Sequence, residues 1–415
     1  MRIKNALLNG QKVDIIIKDD IIEDVYPADD RSYELDRTLN ANGMAVIPGL
    51  VNMHTHSPMT LFRGLADDIP LKQWLEENIW PAEKRLDEET VYHGARLAML
   101  EMIQSGTTAF NDMYLWLDVI EKAAVEMGIR AYLSETCFDF FKPHVAEKCK
   151  QQIIKRFEQK PADSRINYLI GTHAIYTVSG DLLRWAADFA VRNNVFMHLH
   201  LAETQQEVAD SVSNFGLTPV RYLHKLKVLN PKLIIAHVLY VDDEEIKMLA
   251  DAGVSVVHNP ASNMKLGSGA EFKFTEMKSV GIKIALGSDG CASSNNLDMV
   301  EVMKLAALLG KAWRKDPTVL TCNEILDAAT VIPAEIFGIK TGVIAKGYKA
   351  DLCLVNLQIP AFTPNINFVS NLVYAANGSC IDTVICDGKV LMKHRKVKND
   401  EDIIAFVQKI KQNEN

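Results

Sequence analysis

Pro48-Gly49-Leu50-Val51-Asn52-Met53-His54-Thr55-His56 is an apolar run that opens on Pro-Gly and rises to a His-x-His pair. Side chains alternate faces along a strand, so His54 and His56 point the same way. Two imidazoles side by side at the end of a buried strand can hold a cation between them. A lone His-x-His pair says little. This one gains weight because later apolar segments also end in His, Glu or Asp.

Working outward, strand-like runs fall at 51–56, 107–112, 130–135, 166–172, 196–201, 233–237, 254–258 and 283–288. Amphipathic helical stretches lie between them, such as 88–105, 118–127, 181–193, 242–252 and 298–313. Eight strands, each followed by a helical segment, predict a (β/α)8 TIM barrel, an α/β fold. The strands are apolar on both faces, as buried parallel strands are. Both ends of the chain have another texture. Val13-Asp14-Ile15-Ile16-Ile17 and Ala350-Asp351-Leu352-Cys353-Leu354-Val355 are strand-like, and Thr383-Val384-Ile385-Cys386, Asp387-Gly388, Lys389-Val390-Leu391-Met392 is a hairpin signal. The expectation is a small β-sandwich domain formed by both termini, residues 1–49 and 347–415, around a metal-dependent barrel at 50–346. A terminal helix follows from Glu401, with Ile403, Ile404, Val407 and Ile410 at helical spacing.

Composition narrows the function. The 415 residues carry 24% charge, 48% hydrophobic residues and a net charge of −8. No basic footprint for nucleic acid or membrane is present. Seven scattered Cys, none in Cys-x-x-Cys spacing, point to reduced thiols in a cytoplasm. The start has no signal-peptide apolar core, and no apolar stretch reaches the roughly 18 residues of a spanning helix. The expected partner is a small-molecule substrate, with a homo-oligomer, dimer or tetramer, as the assembly.

In such barrels chemistry sits at the C-terminal ends of the strands. Of eleven His, seven fall there: 54, 56, 173, 198, 200, 237 and 258. Glu203 follows the fifth strand and Asp289 the eighth. His198 shares a face with His200 but lies one layer deeper, so it reads as a hydrogen-bonded core residue. His93, His144, His224 and His394 read as surface or helix residues. Trp74 and Trp80 either wall the pocket or simply pack.

His54-Thr55-His56, His200-Leu201-Ala202-Glu203, His237 and Ser288-Asp289-Gly290 resemble the amidohydrolase superfamily. Closer motifs are Pro58 to Gly64, Trp80-Pro81-Ala82-Glu83, His258-Asn259-Pro260-Ala261-Ser262-Asn263-Met264-Lys265-Leu266-Gly267 and Gly287 to Gly290. These resemble the branch holding 5′-methylthioadenosine/S-adenosylhomocysteine deaminases and related chlorohydrolases. The resemblance implies one divalent metal ion, Zn²⁺ first with Fe²⁺, Ni²⁺ or Mn²⁺ as alternatives, on His54, His56, His200 and Asp289. Binuclear relatives place a bridging Lys at the end of the fourth strand, where this chain has Thr172-His173, so one metal is expected. By the same resemblance Glu203 relays the proton, Asp289 accepts another, and His237 polarises the attacking oxygen. Glu83, His173, Glu203, Asp289 and Ser293 are the expected substrate contacts, and His258 orients the Asn-Pro loop.

The implied reaction is hydrolytic deamination of an adenine nucleoside: 5′-methylthioadenosine, adenosine or S-adenosylhomocysteine. A carboxylate at Glu83 suits a ribose diol, which it can bind with two accepted hydrogen bonds. A surface ion pair with Lys84 or Arg85 is the plainer alternative. Relatives that take S-adenosylhomocysteine grip its carboxylate with Arg residues after the third strand. Here Glu135 to His144 contains none, while Phe138, Phe140 and Phe141 offer an apolar wall. The rivals are deamination or dechlorination of another heterocycle (guanine, a pterin, an s-triazine) and a non-catalytic scaffold. The His-x-Glu and Pro-Cys-x-x-Cys signatures of nucleic-acid base deaminases are absent.

Overall fold

Strands follow the hydrophobic pattern closely in the computed structural model, which describes residues 1–28 and 37–413. Five short strands come first: β1 (Arg2–Leu8), β2 (Gln11–Lys18), β3 (Ile21–Pro27), β4 (Thr38–Asn40) and β5 (Met44–Pro48). The central series is β6 (Leu50–Thr55), β7 (Thr107–Tyr114), β8 (Arg130–Cys137), β9 (Ile166–Ala174), β10 (Met197–Leu201), β11 (Leu233–His237), β12 (Ser255–His258) and β13 (Ile284–Leu286). Last come β14 (Leu352–Asn356), β15 (Ile381–Cys386), β16 (Lys389–Lys393) and β17 (Lys396–Val397).

β6 to β13 pair in sequence order and in parallel, with helices between them. The strands are buried along almost their whole length, because helices cover one face and barrel-lining side chains fill the other. This is a nearly closed eight-stranded barrel. The seam between β6 and β13 is joined by side chains and loop backbone. Asn52 Nδ2 donates to Ser288 Oγ at 2.6 Å, Ser288 N donates to Asn52 Oδ1 at 3.0 Å, and Asp289 N donates to the His54 carbonyl at 2.9 Å. Gly287 is required here: a Cβ would sit 2.8 Å from His54 Cβ and 2.4 Å from Asn259 Oδ1. The seam therefore brings His54 and Asp289 together.

The helices start where the sequence offers a capping oxygen. Asp87 and Asp242 form capping boxes, and Ser179, Thr204 and Asp298 accept from first-turn amides.

The strands of both termini form one sheet in the order β17-β16-β15-β14-β5-β1-β2-β3, with β4 on β1. It is mostly antiparallel, and β5 meets β14 with Ile47 opposite Cys353. Ile3, Ile15, Ile17, Val46, Leu352, Leu354 and Ile385 share its apolar core. The β15–β16 turn is Asp387-Gly388, with φ of 52° and 73°, the left-handed pair that a two-residue hairpin demands. Arg130 of β8 ties this sheet to the barrel, 3.0 Å from Asp351 and 2.9 Å from Asp387. All seven Cys are free thiols. No helix among the described residues is long and apolar enough to cross a membrane.

Candidate metal and catalytic centre

Four donors converge at the C-terminal mouth of the barrel. His54 ends β6, His56 follows it, His200 lies in β10, and Asp289 follows β13. The His54 ring centroid is 4.9 Å from that of His56 and 4.8 Å from that of His200. Asp289 Oδ1 lies 3.3 Å from His54 Nε2 and 3.2 Å from His56 Nε2. His54, His56 and His200 offer nitrogens within 4.8 Å of one another, and His54, His237 and Asp289 form a second such group.

Hydrogen bonds fix which ring nitrogens face inward. His56 Nδ1 donates to the Met113 carbonyl at 2.6 Å and His200 Nδ1 to the His173 carbonyl at 2.8 Å. His198 Nδ1 donates to the Ile234 carbonyl at 3.1 Å, so its Nε2 accepts from His54 Nδ1 at 2.7 Å. In the neutral rings all three Nε2 atoms then present lone pairs to one another and to Asp289. His200 Nε2 sits 3.3 Å from His56 Nε2, an arrangement that repels unless positive charge lies between them. His54 Nε2 is buried and makes no hydrogen bond. Three imidazole nitrogens and one carboxylate oxygen suit a single divalent ion with a coordination position left open.

The electrostatics agree. Burial pushes the His54 imidazole down to about 4, below its ordinary value. Burial alone would also lower His56, but the Asp289 carboxylate outweighs it and raises His56 to about 9. The Asp289 carboxyl is driven well below the usual range: burial opposes this, and His54 and His56 outweigh it. The centre is built to hold positive charge.

Around the donors sit the groups that can move protons. Glu203 is 8% exposed, and burial raises its proton affinity. Its Oε2 lies 3.8 Å from His237 Nε2, and Ser268 Oγ donates to Oε1 at 3.4 Å. His237 Nδ1 donates to Asn263 Oδ1 at 2.8 Å, which leaves Nε2 facing Glu203 and the metal donors. Ser293 Oγ donates to Asp289 Oδ2 at 2.8 Å, leaving Oδ1 to the histidines. Ala202, His237, Val238 and Asp289 all hold left-handed backbone, at φ of 53°, 75°, 52° and 63°. For non-glycine residues that conformation is unfavourable, and it clusters at functional sites.

The cavity over this centre is lined by His56, Glu83, His173, His200, Glu203, His237, Asp289 and Ser293, so every expected substrate contact faces it. Glu83 turns to the cavity beside Tyr114 rather than to Lys84 or Arg85, and burial raises its proton affinity. Trp74 and Trp80 both wall the cavity, from a segment that includes one π-helical stretch, Trp74–Ile79. Of the three Phe residues after β8, Phe138 lines the cavity, while Phe140 and Phe141 are about half exposed. No Arg or Lys is among the described lining residues. His258 stacks on Phe272 at 4.0 Å instead of reaching the cavity. His198 is fully buried, the hydrogen-bonded core residue its position implied.

Sequence reasoning passed over Asp112 and Asn263. Asp112 accepts from Ser57 N and Ser57 Oγ, each at 2.6 Å, and so fixes the turn after His56. Asn263 sets the His237 tautomer. Its signal was its place in the His258–Asn263 motif.

The amidohydrolase family model matches residues 45–391. The chain belongs to the amidohydrolase family. As a member it is a hydrolase of C–N bonds. It is 45% identical over 379 residues to a 5-methylthioadenosine/S-adenosylhomocysteine deaminase of Archaeoglobus fulgidus, covering 91% of this chain and 90% of that one. It is 44% identical to a 5′-deoxyadenosine deaminase of Methanoregula boonei, covering 90% and 85%. A solved adenosine deaminase from Xanthomonas campestris with bound zinc superposes with a TM-score of 0.90 at 34% identity, covering 97% and 93%.

Proposed function

We propose that this amidohydrolase is a Zn²⁺-dependent deaminase that converts an adenine nucleoside with an uncharged 5′ group to its inosine analogue and ammonia. The observation that carries the reading is the facing of Glu203 and His237 across the His54/His56/His200/Asp289 cluster, beneath a cavity that contains Glu83 and has no Arg or Lys among its described lining residues. A cation on His54, His56, His200 and Asp289 would lower the pKa of water to about 7 and so supply a nucleophile at neutral pH.

The chain's own residues carry the rest. Glu203, buried and raised in proton affinity, takes the proton from the attacking water and delivers it to the ring nitrogen next to the amino-bearing carbon. That protonation makes the carbon electrophilic. His237, its tautomer set by Asn263, accepts a hydrogen bond from the attacking water through Nε2 and so polarises its oxygen. Asp289, steadied by Ser293, accepts the remaining hydroxyl proton as the carbonyl forms. Asp289 then passes that proton to the departing amino group, which leaves as ammonia, so water's oxygen replaces nitrogen and the protons balance. Glu83 holds the ribose diol and His173 contacts the base. Phe138, Trp74, Trp80 and Leu75 form an apolar wall for the 5′ group.

The relatives named for 5′-methylthioadenosine and 5′-deoxyadenosine support this substrate class. The test is ammonia release over a panel of adenosine, 5′-methylthioadenosine, 5′-deoxyadenosine, S-adenosylhomocysteine, guanine and a chlorotriazine. Turnover of the uncharged nucleosides is expected. Preference for a bare ring would overturn the reading.

A further inference from the structure

Glu207 is a second buried carboxylate beside Glu203, and the mechanism above gives it no role. It is 7% exposed and has no cation partner among the described residues. Its two oxygens are committed to backbone. Oε1 accepts from Ala202 N at 2.9 Å and Oε2 from Glu203 N at 2.8 Å. Glu207 is the third residue of the helix Gln205–Phe215, whose cap is Thr204. In an ordinary capping box a Glu at this position reaches back to the amide of the cap residue. Here it passes over that amide and binds the two before it.

Those two amides belong to the turn that leaves β10. Ala202 holds an unfavourable left-handed conformation, φ 53°. Its carbonyl accepts from Leu239 N at 3.0 Å and Tyr240 N at 3.1 Å, in the loop that follows His237. The turn is thus gripped on one side by Glu207 and on the other by the loop after β11. Glu203 and His237 stand on these two gripped segments, 3.8 Å apart. A buried carboxylate needs compensation, and two amide donors on consecutive residues supply it only while the turn keeps this shape.

We propose that Glu207 is a positioning residue, whose carboxylate holds the Ala202–Glu203 turn and so aims Glu203 at the metal centre. The inference rests on the reading of Glu203 as the proton shuttle. Misplacing a reacting group by about 1 Å costs on the order of 10²-fold in rate. In Glu207→Gln one oxygen becomes a donor facing an amide N–H, so one of the two bonds is lost.

The experiment is a kinetic cycle on metal-replete protein with 5′-methylthioadenosine, under single-turnover conditions that keep slow variants measurable. E207Q should keep full metal content, lose on the order of 10²-fold in rate, and change KM by less than about threefold. E203Q/E207Q should be no slower than E203Q, because Glu207 acts only through Glu203. Ser211→Ala removes a hydrogen bond to the Leu217 carbonyl at the far end of the same helix and serves as the stability control. It should lower Tm and leave the rate unchanged. An E207Q rate no lower than that of S211A would overturn the proposal, as would losses that multiply in the double variant. Normal turnover by E203Q itself would instead remove the shuttle assignment, a separate outcome. If E207Q does not fold, E207D enters the same cycle: it keeps the charge but draws the carboxylate back by one methylene.

Discussion

His198 Nε2 lies 2.7 Å from His54 Nδ1, and that contact orients an expected metal ligand from a neighbouring layer of the barrel. The order runs from the Ile234 carbonyl through both rings of His198 and His54 to the Nε2 that faces Asp289. His198 is not itself one of the expected ligands. Its effect is to choose the His54 tautomer.

His198→Ala should therefore weaken metal binding by about 10–100-fold while leaving the four donors in place. Competition with a chelator of known affinity reads this directly. Unchanged affinity would mean that burial alone holds His54.

Glu203→Gln should retain metal and fold but lose about 10²–10⁴-fold in turnover, roughly 3–5 kcal/mol of barrier. An amide cannot relay the proton. Metal analysis beside steady-state kinetics separates this from a binding defect. A near-normal rate with full metal content would assign the shuttle elsewhere.

Glu83 should govern the sugar. A diol-binding carboxylate left unpaired costs about 1–3 kcal/mol. Adenosine should exceed 2′-deoxyadenosine in kcat/KM by the corresponding factor, and Glu83→Ala should erase the difference. With no Arg or Lys among the described cavity residues, S-adenosylhomocysteine should be a poorer substrate than 5′-methylthioadenosine. If S-adenosylhomocysteine wins, a cation outside the lining must reach its carboxylate.

The barrel and the polar cluster at its mouth were legible because one force writes both. Parallel strands buried on two faces must be apolar, so a polar residue at a strand end stands out, as His54, His200, His237 and Asp289 do. The residues that orient them were hard to read. Asp112, Asn263 and Glu207 are ordinary polar residues in sequence; Asp112 binds the amide and hydroxyl of Ser57, and Glu207 binds two backbone amides. Nothing local distinguishes Asp112 and Glu207 from solvated side chains, and Asn263 is marked only by its place in the motif that begins at His258. Asn52 is alike: its partner Ser288 is 236 residues away and meets it only when the barrel closes. In the cavity wall from Leu71 to Glu83, the sequence marked Trp74, Trp80 and Glu83 but not Leu71, Leu75 or Ile79, because the short helical pieces have no sustained period.

The Arg130 network between barrel and terminal sheet has its own pH signature. Burial would raise the Asp387 carboxyl, but Arg130 and Lys349 outweigh it and hold it below its ordinary value. A depressed carboxylate contributes stability that is full above its unfolded value of about 3.9 and is lost as pH falls through the folded value. Asp387→Asn keeps a residue that tolerates the left-handed turn and removes the charge. It should cost about 1–3 kcal/mol at neutral pH, with the difference from wild type vanishing in acid. Thermal melts from pH 7 to pH 3 check this. A gap that stays constant with pH would show that the charge contributes nothing.

The proposed function is deamination of an adenine nucleoside by the His54/His56/His200/Asp289 cluster and Glu203 together. It is tested most directly by ammonia release from 5′-methylthioadenosine as metal is stripped and restored. The expected result is one ammonia per inosine analogue formed, loss of turnover in step with metal content, and recovery when one equivalent of Zn²⁺ is returned. Full turnover by metal-free protein, or no ammonia from any adenine nucleoside with metal present, would contradict it.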